Sequence, residues 1–153
     1  MNGFKLSKRS LKNLEGVDPS LVGVVKYALP RTDTDFGVIE GLRTTQRQRE
    51  LFDKGASQTM NSKHLTGEAV DLLAYVGARG SWELPLYYDI ATAIREAAIH
   101  LDVGIRWGGC WILGDIRDWC GTMEEATAMY IENKTAIDKP IFIDAPHFEL
   151  ATK

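Results

Sequence analysis

Histidine and cysteine are scarce in this chain, which has three of the first and two of the second in 153 residues. Two cysteines, Cys110 and Cys120, cannot build a disulfide framework or a paired C-x-x-C metal site. They are expected as reduced thiols, with a single bridge as the alternative. Long apolar runs are missing too. No stretch approaches the ~20 residues that span a bilayer, and the N-terminus lacks the apolar core of a signal peptide. A product made in the cytoplasm, without stable membrane insertion, is the expectation. Positive charge is not in excess: 18 Lys and Arg stand against 21 Asp and Glu, a formal net charge of -3. That leaves no basic footprint for nucleic acid. The local cluster Lys5-Leu6-Ser7-Lys8-Arg9 is interleaved with apolar residues and reads as the solvated face of a helix.

What is present suits one globular domain over residues 1–153. Apolar residues make up 44% and charged residues 25%, ordinary for a chain with a real core. Ser7 is expected to open a first helix through Leu11 and Leu14. Asp18-Pro19 opens a second, with Leu21, Val22, Val25 and Leu29 on one face and Pro30 as its stop. Phe36 to Gly41 reads as a short strand. Thr45 is the expected cap of a polar helix that closes at Gly55, and a loop from Ala56 to Lys63 follows. Ala69 to Val76 reads as a buried strand, and Pro85 to Leu101 as the longest helix, stopped by Gly104. Ile105 to Gly109 is a strand running into a glycine bend. Thr122-Met123-Glu124-Glu125 is a capping box opening a helix to about Asn133. The alternating His147-Phe148-Glu149-Leu150 closes the chain as a strand, with His147 and Glu149 on the face opposite Phe148 and Leu150. Helices packed on a small, mostly antiparallel sheet give the fold class α+β.

Two of the three histidines fall in chemically loaded stretches. Ser62 to Asp71 reads S-x-H-x-x-G-x-A-x-D, with His64 and Asp71 either side of Gly67. Asp144-Ala145-Pro146-His147 pairs an imidazole with a carboxylate three residues earlier. Singly, His64 is a loop histidine and Asp71 a strand-end carboxylate. Asp71 lies among apolar residues, however, and needs a partner to offset its desolvation. Together the four residues meet the needs of a catalytic zinc site: three N/O ligands, one open position and a nearby base. His100, at the end of the long helix, fits a surface or helix-dipole position instead.

These stretches, with Phe4-Lys5-Leu6-Ser7, Gly41-Leu42-Arg43-Thr44 and Trp107-Gly108-Gly109, give the chain a family resemblance. It resembles the L-alanyl-D-glutamate peptidase type of phage endolysin. That type lies within the zinc D-alanyl-D-alanine carboxypeptidase superfamily, which shares its core with the hedgehog signalling domain. The resemblance implies His64, Asp71 and His147 as zinc ligands and Asp144 as general base, with Glu149 as the rival base on the face of His147. It implies Arg43 as a substrate-orienting residue, suited to a peptide carboxylate or to the carbonyl that becomes an oxyanion, against the alternative of a surface arginine. Ser62 either donates to substrate or caps its loop.

The implied activity is hydrolysis of the peptidoglycan stem peptide between L-alanine and D-glutamate during host lysis. The enzyme would be a monomer that reaches the wall through a holin-type membrane lesion. A D,D- or L,D-carboxypeptidase removing terminal D-alanine is the first alternative, and a non-catalytic zinc- or wall-binding module the second. Two departures stand out. Cys110 replaces the acidic residue usual after Trp-Gly-Gly, and residues 112–143 form a longer insert than expected, read as a surface elaboration of the catalytic domain.

Overall fold

The computed structural model describes residues 1–57 and 59–152. Its centre is a five-stranded antiparallel sheet. β1 (Asp35–Glu40), β2 (Ala69–Val76), β5 (His147–Leu150) and β4 (Ile105–Trp107) lie side by side in that order, and β3 (Arg79–Ser81) pairs with the far end of β2. Helices α1 (Lys8–Asn13), α2 (Pro19–Ala28), α3 (Thr45–Asp53), α4 (Leu84–Leu101) and α5 (Met123–Ala136) complete the α+β architecture.

Period-2 patterning decides which way the sheet faces. Val70, Leu72 and Ala74 of β2, Phe148 of β5 and Trp107 of β4 are fully buried in the core. They pack with Leu21, Val24 and Val25 of α2 and with Ile90, Ile94 and Ala97 of α4. Burying a large apolar side chain contributes about 1.5–3 kcal/mol, so α2 and α4 anchor the inner face. Asp71, His147, Glu149 and Arg106 alternate with these core residues, and the same pattern turns them to the outer face.

Local chemistry sets the helix starts. Ser7 Oγ accepts from the Ser10 amide at 3.1 Å, and Asp18 Oδ1 accepts from the Ser20 amide at 2.8 Å. At α5 the full capping box forms between Thr122 and Glu125. Some details of the helix ends differ from expectation. Thr44, not Thr45, caps α3, because Thr44 keeps an extended backbone and its hydroxyl accepts from Arg47. Helix α4 ends at Leu101 as expected, but the residue that stops it is Asp102, with a left-handed φ of 54°, two residues before Gly104; aspartate tolerates that conformation better than most residues. Helix α5 runs three residues past Asn133. The short β3 was not anticipated, since three residues carry too little alternation to be read as a strand.

The 112–143 segment is tied firmly to the rest of the fold. Met123, Ala126, Thr127 and Tyr130 are buried. Thr127 Oγ1 donates to the Gly109 carbonyl at 2.9 Å, and Tyr130 Oη both donates to and accepts from the backbone of Phe142. Arg95 of α4 donates to the carbonyls of Trp119 and Gly121. Cys110 is buried and Cys120 exposed, both as free thiols. The Cys110 side chain therefore lies in the core and makes no wall of a cleft; burial pushes its pKa up.

Candidate metal centre and cleft

Sheet pairing brings the two distant motifs together. Asp71 of β2 stands directly opposite His147 of β5, and cross-strand neighbours on one face lie within contact distance. Asp71 Oδ1 is 3.2 Å from His147 Nδ1. His64 comes from the adjoining 3-10 turn, Lys63–Thr66, whose start is fixed by Ser62 Oγ accepting the His64 amide at 3.2 Å. The turn closes at Gly67, where φ is +73° and an added Cβ would fall 2.3 Å from the Gly16 carbonyl oxygen. Only glycine fits there. The ligand-capable atoms of His64, Asp71 and His147 all lie within 4.8 Å of one another.

Hydrogen bonds fix the ring orientations. His64 Nδ1 lies 2.8 Å from the Gly41 carbonyl. A carbonyl only accepts, so Nδ1 carries the proton and Nε2 presents a lone pair. That Nε2 is buried without any hydrogen-bond partner and faces Asp71 Oδ1 at 3.3 Å. A cation between the buried lone pair and the carboxylate oxygen would offset both. The spacing suits one: ligands about 2.0–2.1 Å from a tetrahedral zinc lie roughly 3.3 Å apart. On the other ring, Nε2 donates to Glu149 Oε1 at 2.8 Å, which leaves Nδ1 turned toward Asp71. Burial works against a charged His147 ring. The bonds to Asp71 and Glu149 outweigh burial and raise its pKa to about 9. Burial disfavours the charged Asp71 as well, but its bond to His147 and the proximity of the two imidazoles outweigh burial and hold it well below the usual carboxylate range. A divalent cation held here would take the place of the ring proton.

The remaining acids differ in what they are tied to. Glu149 is bonded to His147 and sits 3.5 Å from Lys63 Nζ. Burial favours its neutral form, but the His147 bond and the His147, Lys63 and Arg106 charges outweigh burial and lower its pKa. Asp144 is held only through its backbone, whose amide donates to Gly108 at 2.9 Å and whose carbonyl accepts from His147 at 3.0 Å. Gly108 permits this approach, since a Cβ would sit 2.1 Å from the Asp144 carbonyl oxygen. Among the described residues the Asp144 carboxylate makes no hydrogen bond, and it lines the cleft beside His64, Asp71 and His147. Burial and the Asp71 charge raise its pKa, only partly opposed by His147, His64 and Arg43.

Arg43 is not a surface arginine. It is 8% exposed, with Nε on Glu40 at 2.7 Å, Nη1 on Gln48 Oε1 at 2.7 Å and Nη2 at 3.4 Å from Asp71 Oδ2. A β-bulge between Val38 and Glu40 brings Glu40 opposite Asp71 and makes this contact set. Gln48, fully buried, also donates to Ser57 Oγ and the Thr59 carbonyl on the loop that walls the cleft. These supports, Glu40 and Gln48, were not apparent from sequence. The position of Glu149 was, through the H-x-E alternation, although its bond to His147 was not. Trp111 stacks on Phe142 and lies 5.3 Å from the His147 ring. Together they wall one side of an open cleft of about 460 Å³ that also contains Arg43, Ser62 and Asp144. His100 lies elsewhere, stacked on Tyr27 at 4.4 Å.

Comparisons with known proteins place the chain in a family. A sequence model of the phage L-alanyl-D-glutamate peptidase family matches residues 2–151. The chain belongs to that family. It is 32% identical over 120 residues to the L-alanyl-D-glutamate peptidase of Escherichia phage T5, covering 75% of this chain and 88% of that protein. Its structure resembles the crystal structure of the Serratia marcescens L-Ala D-Glu endopeptidase ChiX, with a TM-score of 0.72 and 36% identity, over 97% of this chain and 92% of that one. No described helix of this family member is long and apolar enough to cross a membrane.

The bond from Glu149 to His147 leads to a first expectation. Partners that orient a metal-bound imidazole typically contribute 10–100-fold in metal affinity, so Glu149→Ala should weaken metal binding by about that factor. Competition against a chromophoric chelator measures it. Unchanged affinity would mean that His147 is oriented without Glu149.

Proposed function

We propose that this chain is a zinc-dependent endopeptidase that hydrolyses the L-alanyl-D-glutamate bond of the peptidoglycan stem peptide. The observation carrying the reading is the orphaned His64 Nε2, buried against Asp71 and His147 in an open cleft that also holds an unpaired carboxylate. Membership of a family described as phage L-alanyl-D-glutamate peptidases supplies the substrate class. His64 Nε2, Asp71 and His147 Nδ1 are the atoms proposed to hold zinc, and the two-imidazole, one-carboxylate set suits that ion. When bound, zinc supplies Lewis acidity toward water and toward a peptide carbonyl.

The chain's own residues do the rest. Asp144, without a hydrogen-bond partner and with its pKa raised by burial, takes a proton from the attacking water. It returns that proton to the amine nitrogen as the C–N bond breaks. Glu149 is unsuited to this, because its oxygens are committed to His147 and Lys63 and its proton affinity is lowered. Arg43, whose charge is already met by Glu40 and Asp71, suits a neutral carbonyl developing negative charge better than a full carboxylate. Ser62 combines capping of the His64 turn with a place on the cleft wall. In the lytic setting that the family description implies, a membrane lesion of the holin type is the proposed route to the wall.

Digestion of purified peptidoglycan followed by mass spectrometry tests the reading. New amino-terminal D-glutamate is expected. Release of free D-alanine with the alanyl-glutamate bond intact would assign the chain to the carboxypeptidases instead, and no release at all would favour a binding module.

A further inference from the structure

Three cationic side chains line the cleft, and their surroundings separate them. Arg43 has two carboxylate partners, Glu40 and Asp71. Lys63 has Glu149 and donates as well to the Leu150 carbonyl and to Thr152 Oγ1. Arg106 has no carboxylate partner among the described residues. Its Nε donates to the Trp111 carbonyl at 3.0 Å, as does Nη2, and the guanidinium lies 5.1 Å from the Trp111 ring centroid. Nη1 makes no hydrogen bond to any described residue. The nearest acid in register across the sheet is Glu149, already spent on His147 and Lys63.

Arg106 is thus oriented by a backbone carbonyl and an aromatic face, on the same side of the sheet as His147, in a half-enclosed cleft and with no salt-bridge partner among the described residues. A cation so held is preorganised for an incoming anion. The substrate class supplies one. Glutamate has two carboxyl groups, and continuing the peptide uses one, so the residue after the scissile bond keeps a free carboxylate. We propose that Arg106 is the specificity-determining residue that binds this glutamate carboxylate, leaving Arg43 to the scissile carbonyl. The assignment rests on the proposed alanyl-glutamate specificity.

The test compares stem peptides that differ only in that group, free carboxylate against carboxamide. Charge-assisted hydrogen bonds correspond to roughly 10–100-fold, so wild type should favour the carboxylate form in kcat/KM by that factor. Arg106→Gln should bring the two forms within about threefold of each other, and Arg106→Lys should keep part of the preference. Because each ratio is taken within one variant, general damage from disturbing Trp111 cancels. An absent preference in wild type, a ratio unchanged in Arg106→Gln, or a ratio that collapses only in Arg43→Gln would each overturn the assignment. Calorimetric titration with the D-glutamyl product peptide separates this from the bond assignment. Arg106-dependent binding without alanyl-glutamate cleavage would retain the subsite and discard the proposed bond, whereas binding equal in wild type and Arg106→Gln would discard the subsite.

Discussion

Asp144→Asn should retain the fold and its metal yet lose about two to four orders of magnitude in kcat, the usual contribution of a general acid-base group. At 1.36 kcal/mol per decade this is about 3–5 kcal/mol of barrier. Asparagine is nearly isosteric, and the backbone bonds that hold position 144, to Gly108 and His147, do not involve the side chain. What changes is the ability to accept and return a proton. Steady-state kinetics with metal analysis on the same samples decides the matter. Near-normal turnover would remove Asp144 from the chemistry, and if Glu149→Gln were then inactive with its metal retained, the role would pass to Glu149.

A loss of similar or greater size is expected from His64→Ala, but of a different kind. His64 offers its Nε2 to the centre and ties Gly41 to the turn through Nδ1. Its removal leaves only Asp71 and His147. Metal content should drop to a small fraction of an equivalent per chain, and turnover should fall by more than about a thousandfold, since the ion's polarising role is lost at every step. The Asp144 and His64 variants therefore separate chemistry from binding: one keeps metal without turnover, the other loses both. Full metal occupancy in His64→Ala would show that the ion is held elsewhere.

Much of this centre could be read from the chain. His64, Gly67 and Asp71 sit within one ten-residue stretch, where the glycine turn and an acid in a buried strand each demand explanation. Two-residue alternation from His147 to Leu150 put His147 and Glu149 on one face without knowledge of the partner strand. The register that sets Asp71 opposite His147 was not legible, because pairing between segments 76 residues apart is decided by the whole sheet. Nor was the burial of Arg43. Glu40 reaches it only through a bulge in β1, and Gln48 from one turn into α3, so neither spacing in sequence announces the contact. Thr45 was the expected cap of α3, and the bond from the Arg47 amide to the Thr44 hydroxyl, which places the cap one residue earlier, depends on local backbone conformation. The distinction between Arg43 and Arg106 likewise depends on which carboxylates lie within reach, a property of packing rather than of residue type.

Anomalous diffraction at the zinc edge from crystals of the native protein tests the centre most directly. The account predicts one peak per chain, bonded to His64 Nε2, an Asp71 oxygen and His147 Nδ1, with Asp144 nearby but not bonded and Glu149 on the far side of the His147 ring. A peak coordinated by Asp144 or Glu149 in place of one of these ligands, or no peak in protein that is fully active, would contradict it.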